Sequence, residues 1–365
     1  MKKIIIFTSL LLFLTAIIVY KYRNQKIAPT QIASSDTRVD SPEDKIIADK
    51  LQIPWSLAFL PDQSILFTER PGRVRQISPS GVLSETPVST ISDVKPIGEG
   101  GLLGIAVHPN FSQNRYIYLY YTYSGNGNNT ENKVVRYTYL NNQLISDKVI
   151  ISEIPGSANH NGGRLMFGPD GFLYVTTGDS QEPSLSQDKI SIAGKILRLT
   201  DDGKPAPGNP FDSTVYSYGH RNPQGLAWDE MHKLYSTEHG SSAGDELNLI
   251  ELGKNYGWPV IKKTETRAGM ETPLLNSGNE TWAPSGLVYI APYFYFAGLR
   301  SSTLYRFDPS TGKLDKFLKN KYGRLRDVVL GPDGMLYITT SNMDGRSITH
   351  LDGDKIIRIN TSSLK

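Results

Sequence analysis

The chain has no cysteine among its 365 residues. That absence excludes disulfides, thiolate metal sites and cysteine nucleophiles. It says little about compartment, because a domain of this length buries enough apolar surface to need no covalent staples. An excess of one charge is lacking too, with 39 basic residues set against 36 acidic ones and a formal net charge of +3. No basic block stands out beyond the first residues, so a nucleic-acid partner has no electrostatic footprint here. After residue 45 no long helical period of apolar residues occurs.

A long hydrophobic run occurs at the start. Met1, Lys2 and Lys3 precede an apolar stretch from Ile4 to Tyr20, and Lys21, Tyr22 and Arg23 follow at once. This pattern suits a signal peptide or a short membrane anchor. No small-x-small cleavage site lies near its end, which favours an uncleaved anchor. Either form places the rest of the chain outside the cytoplasm, in the periplasm or on the outer face of the cytoplasmic membrane. Residues 24–45 are polar and mixed, as in a tether. The expected organisation is therefore an anchor or signal over 1–23, a tether over 24–45 and one domain over 46–365.

What is abundant is turn chemistry: 33 glycines, 22 prolines and 20 tyrosines are spread along the chain. One pattern returns six times, an apolar strand, a turn, and a second strand rich in Tyr, Phe, Leu and Thr. The copies begin at Ser56, Gly104, Arg164, Gly225, Gly286 and Asp327. Leu57, Ile105, Leu165, Leu226, Leu287 and Val328 occupy corresponding places in the first strand. Adjacent copies are roughly forty to sixty residues apart, the spacing of four-stranded propeller blades. The tetrapeptide GPDG forms the turn at Gly168–Gly171 and again at Gly331–Gly334, with Pro presetting φ and Gly taking the position that needs φ > 0. A third alternating strand often follows, as at Val74–Ser78 and Lys355–Asn360. The predicted fold is all-β, a six-bladed β-propeller of four-stranded antiparallel blades. A sandwich or solenoid would not explain six similar hairpins at this spacing. Propellers gather functional loops at one end of a central channel.

Four segments are too specialised for ordinary turns. Asn159-His160-Asn161-Gly162-Gly163-Arg164 places a histidine able to take a proton next to glycines that admit a ligand. Its alternative is a loop histidine with its hydrogen bonds satisfied. Gly219-His220-Arg221-Asn222-Pro223-Gln224-Gly225 sets a fixed cation beside an amide, suited to carboxylates and carbonyl oxygens. A loop that bonds one blade to the next reads the same way. Glu238-His239-Gly240-Ser241-Ser242-Ala243-Gly244-Asp245-Glu246, with Gly253–Pro259 after it, offers oxygen donors to a hard cation such as Ca²⁺. A single histidine there argues against zinc, and a solvated acidic turn is the alternative. Gly323-Arg324-Leu325-Arg326-Asp327 puts two arginines two residues apart, hence on one strand face. A multiply anionic ligand would relieve their repulsion, as would separate carboxylate partners.

Taken together with IPWSLAFLPD (Ile53–Asp62), GEGGLLGIAVHP (Gly98–Pro109) and GKNYGWP, these segments resemble the soluble-type sugar dehydrogenases that use pyrroloquinoline quinone (PQQ), especially the aldose sugar dehydrogenase branch. The likeness runs from about Ile53 to Ile359. It implies a six-bladed propeller that oxidises aldoses at C1 to lactones with PQQ and Ca²⁺, passing electrons to an external acceptor. It implies His160 as the general base and Arg221 as the cation beside the reacting quinone oxygen. Asn222, Arg324, Arg326 and Arg300 would meet the cofactor, and Glu99 would lie near it. The carbonyls of Gly240 and Ser241 would hold the cofactor's Ca²⁺, while Glu246 and the carbonyl of Tyr256 would hold a separate structural Ca²⁺. Ser241 stands where the family has proline, Arg300 where it often has lysine, and Ser180 where some members carry a longer polar residue. The loops Gln181–Lys189 and Lys262–Glu280 are the expected pocket walls. Two other readings remain open on the residues alone: a Ca²⁺-dependent hydrolase or lactonase, and a binding propeller without catalysis.

Overall fold

The computed structural model describes residues 44–125, 129–347 and 353–364, which form six four-stranded antiparallel sheets. The anchor expected over 1–23, and the tether up to residue 43, lie outside the described residues. No described helix is long and apolar enough to cross a membrane.

Each repeated hairpin supplies the first two strands of one blade. The first strands are Pro54–Phe59, Leu102–Val107, Leu165–Phe167, Pro223–Trp228, Pro284–Ile290 and Leu325–Leu330. Aromatic and β-branched residues, as in the YIYLYYTYS of Tyr116–Ser124, suit the pleated, half-buried surfaces of the second strands. Both GPDG turns close as expected. Gly171 and Gly334 have φ of 80° and 76°, and their N–H groups bond Gly168 O and Gly331 O at 2.9 and 3.0 Å. The Asp of each turn also accepts a bond from a tyrosine on the following strand, Tyr174 and Tyr337.

The core lies between blades. Tyr118 and Tyr120 of the second blade pack with Leu165, Val175 and Leu197 of the third, each such buried side chain contributing about 1.5–3 kcal/mol. The six corresponding residues, Leu57 through Val328, line one central channel of about 270 Å³. Arg164 and Asp327, from the third and sixth blades, are joined by a buried ion pair of 3.0 Å and also line that channel.

The ring is closed by the start of the chain. Lys45–Leu51 pairs with Asp354–Ile359 as the outermost strand of the blade built from 325–340. Its side of the join is fixed further by Asp44, whose carboxylate meets Lys321 Nζ at 2.6 Å.

Five of the six first strands carry a register shift near their start. In three of them a single residue is left unpaired: Trp55 between Pro54 and Ser56, Gln224 between Pro223 and Gly225, and Arg326 between Leu325 and Asp327. Such bulges re-aim a side chain at the rim of a sheet. All three residues line the same cavity.

Candidate active site

The specialised segments converge at one rim, where first strands begin and second strands end. There a cavity of about 390 Å³ is walled by Trp55, Glu99, Gln224, His239, Arg300, Arg324, Arg326 and Arg346, among others. The side-chain charge in that wall is mostly cationic.

His160 stands beside this cavity, between Asn159 and the cavity-lining Asn161 and Gly162. Its Nδ1 lies 2.7 Å from Asp179 Oδ1, and its Nε2 lies 2.8 Å from Arg221 Nη2. A guanidinium can only donate, so Nε2 accepts and the ring proton sits on Nδ1, donated to Asp179. The other Asp179 oxygen accepts the Trp258 indole N–H at 2.8 Å. His160 itself has φ 59°, a left-handed conformation that costs a non-glycine residue about 1–2 kcal/mol. Its carbonyl fits only because residue 178 is glycine: a Cβ there would lie 1.8 Å from His160 O.

Arg221 forms the other side of this contact. Its Nη1 donates to the carbonyls of Gly240 at 2.7 Å and His239 at 3.2 Å, and its guanidinium lies over the Trp258 ring. Burial lowers its pKa, and the Asp179 and Glu238 charges work against that. Asn222 Oδ1 accepts from Gly162 N and Gln224 Nε2. Glu99 has one oxygen on the His160 N–H at 2.9 Å and the other on Arg346. Burial would raise the Glu99 pKa, yet His239, Arg346 and the His160 amide together hold it down to about 2.

Arg324 and Arg326 both face the cavity, but not because of strand alternation. Arg324 precedes its strand and Arg326 is the bulge residue, so the period-of-two argument does not apply to them. Arg324 pairs with Asp344 at 2.9 Å. Arg326 bonds Gln224 Oε1 at 3.0 Å and has no carboxylate partner of its own among the described residues. Burial presses its pKa down to about 9, with Asp344 opposing and Arg324 adding to the shift. Four buried N–H or imidazole nitrogens at this rim, on Arg221 Nε, Asn222 Nδ2, His239 Nε2 and Arg326 Nε, have no hydrogen-bond partner among the described residues.

A second, small cavity of about 20 Å³ adjoins the first, with Gly240, Ser241, Glu246 and Tyr256 all in its wall. Glu246 accepts a hydrogen bond from Asn248 Nδ2 at 3.0 Å. Burial and the nearby Glu238 charge raise its pKa. Among the described residues no three or more His, Cys, Asp or Glu side chains cluster as a metal site. A cation here would therefore be held largely by carbonyls, the donors a hard ion accepts.

The structure brings His160, Arg221, Asn222, Glu99, Arg300, Arg324 and Arg326 to one rim and the four candidate metal donors to its neighbour. The expected walls are different. Neither Gln181–Lys189 nor Lys262–Glu280 lines the large cavity, and of the second loop Lys262 and Lys263 reach the small one. The loop after Asp179 serves the base instead: Gln181 Oε1 accepts from Asn159 N at 3.2 Å. Sequence reasoning missed Asp179, Gln224, His239 and Arg346. Asp179 and His239 lie inside motifs already singled out, and a count of carboxylates within reach of His160 would have raised Asp179. Arg346 has no local signal.

A family model described as glucose/sorbosone dehydrogenase matches residues 51–351. The aldose sugar dehydrogenase of Escherichia coli K12 is 33% identical over 338 residues, 82% of this chain and 90% of that protein. A solved oxidoreductase (glucose dehydrogenase) from Thermus thermophilus is 43% identical with a TM-score of 0.81, over 87% of this chain and 99% of that one. The PQQ-bound aldose sugar dehydrogenase of Streptomyces coelicolor is 38% identical with a TM-score of 0.80, over 87% and 98%. With its six blades, its arginine-walled cavity and these relatives, the chain belongs to the glucose/sorbosone dehydrogenase family of PQQ-type sugar oxidoreductases.

Proposed function

We propose that this protein oxidises aldose sugars at C1 to lactones, using PQQ and Ca²⁺ and an external electron acceptor. The observation that carries this reading is the Nε2 lone pair of His160, oriented by Asp179 beside a cavity walled by arginines. The residues present fit the cofactor. PQQ is a planar quinone with carboxylate arms, and Arg300, Arg324 and Arg326 would hold those arms. Asn222 and Arg221 carry unpartnered N–H groups at the same rim, suited to its carbonyl oxygens. When bound, PQQ supplies the acceptor for the hydride that leaves C1.

The chain's own residues do the rest. His160 Nε2 takes the C1 hydroxyl proton, a contribution of about 10²–10⁴-fold for a positioned base. Arg221 occupies that lone pair at 2.8 Å, so the sugar hydroxyl must displace it. The displaced guanidinium remains beside the base as a buried cation, placed to offset negative charge that develops there. Gly240 and Ser241 would hold a Ca²⁺ through their carbonyls. The Gly240 carbonyl already faces a cation, Arg221. Glu246 and Tyr256 would hold Ca²⁺ at the small cavity, whose volume of about 20 Å³ suits one ion. The basic and apolar start of the chain supports export, with the propeller outside the cytoplasm and the membrane reached through residues 4–20 where they are retained.

The test uses the chain from residue 44 onward, with PQQ, Ca²⁺ and glucose or another aldose, and follows reduction of an artificial dye. Dye reduction that needs both additions supports the reading. Absence of PQQ binding by absorbance titration would remove it, and a hydrolase that leaves Arg324 and Arg326 without a task would have to be reconsidered.

A further inference from the structure

Arg346 is the one cavity arginine that neither the sequence motifs nor the proposed chemistry employs. It lies on the loop after the second strand of the sixth blade. From there its guanidinium reaches Glu99 and Asn159, which precede the second and third blades. We propose that Arg346 is a positioning residue for His160, acting across the mouth of the cavity through the Glu99 carboxylate. This inference rests on His160 being the base.

The chain of contacts is short. Glu99 Oε2 accepts the His160 N–H at 2.9 Å, and Glu99 Oε1 meets Arg346. The Glu99 main chain is fixed separately, through its own N–H on Ala158 O at 2.7 Å. Arg346 is therefore not needed to keep the two loops together. What it fixes is the aim of a long carboxylate side chain that would otherwise choose among several rotamers.

His160 needs that aim because its backbone sits at φ 59°. A residue in this region persists only where its surroundings over-determine it. Asp179 orients the ring, and the Ser180 N–H bonds the His160 carbonyl at 3.2 Å. Glu99 is what holds the third group, the His160 N–H. Arg346 is anchored in turn by its own N–H on Asp344 Oδ1 at 2.9 Å, while Asp344 Oδ2 takes Arg324 at 2.9 Å. The arm thus springs from the same carboxylate that holds a candidate cofactor arginine. Its side chain is 47% exposed, so truncation opens no hole in the core.

The first measurement needs no cofactor. The apo chain from residue 44 is labelled with ¹⁵N-histidine, at most six amide signals, and the His160 signal is assigned by its loss in His160→Ala. Arg346→Ala should shift the His160 amide and leave the signals of His108 and His232 in place, and Arg346→Lys should restore part of the shift. An unmoved His160 amide overturns the proposal.

The second measurement is turnover of the loaded enzyme. Arg346→Ala should lower kcat about tenfold, the scale of one charge-assisted hydrogen bond, with KM little changed. In a Glu99→Gln background the same substitution should add no further loss. A change confined to KM, or losses that multiply in the double variant, would overturn the positioning role. An enzyme with no dehydrogenase activity at all would sink the proposed function and leave the amide test standing.

Discussion

Arg221 Nη2 and His160 Nε2 are 2.8 Å apart, so the candidate base and its neighbouring cation touch directly. The arrangement requires the neutral Nδ1–H form of the histidine and reserves its one lone pair for a donor. A sugar hydroxyl is such a donor. His160→Ala should therefore cost about 10²–10⁴-fold in kcat, the contribution of a positioned base. PQQ binding should persist, because the candidate carboxylate contacts are made by Arg300, Arg324 and Arg326. Steady-state dye reduction and an absorbance titration of PQQ check both halves. A fully active His160→Ala enzyme would take the proton transfer away from this residue.

Asp179 decides which nitrogen carries the proton. Its Oδ1 faces His160 Nδ1 and its Oδ2 holds the Trp258 indole. In Asp179→Asn the amide can donate to Nδ1 and so favour the opposite tautomer, whose Nε2–H has no lone pair for the sugar. We expect a kcat loss of at least about 10²-fold with the fold intact by circular dichroism. Turnover within a few-fold of the parent would show that the tautomer is set elsewhere.

The Glu99 carboxyl ties pH to stability. Its folded pKa is depressed to about 2 from an ordinary 4.5. For an acid shifted downward, the stabilisation is fully present above the unfolded pKa and is lost as pH falls through the folded one. The window is therefore pH 4.5 down to about 2. Other depressed carboxyls, such as Asp344, contribute in the same direction. Urea unfolding of the parent and Glu99→Gln at about pH 7, 5 and 3 separates them: the parent's advantage should shrink over the lower half of that range. An advantage that stays constant throughout would mean the carboxylate is not specifically favoured in the folded state.

Much of this architecture is legible in the residues. Six hairpins stand out because each repeats an apolar strand, a turn and an aromatic strand, and the corresponding positions from Leu57 to Val328 do meet in one channel. Strands as short as Ser89–Thr90 and Leu275–Asn276 leave no period to read. Bulges have no compositional mark either. Trp55 and Gln224 enter the cavity because one strand gains a residue over its partner, which depends on pairing and not on which residues flank them. The Glu99–Arg346 contact spans 247 positions, and nothing near either residue announces the other. Motifs whose parts are contiguous were readable, and partners assembled by ring closure were not.

That closure gives a last test. Lys45–Leu51 adds the outer strand to the sixth blade, pairing Ala48 with Ile356 and Leu51 with Asp354. Ala48 and Leu51 are buried, at 7% and 2% exposure. A chain starting at Asp44 keeps every one of these contacts and should melt where the full-length protein does. A chain starting at Gln52 loses them, at about 2–4 kcal/mol for the apolar burial alone. It also leaves the edge of Asp354–Ile359 unpaired, a template for association between molecules. Thermal melts and light scattering on the two truncations should therefore diverge, with a lower midpoint and aggregation only in the shorter chain. Equal melting would mean that the ring is held by packing between the blades, as in the Tyr118 to Leu165 cluster, without help from the joined ends of the chain.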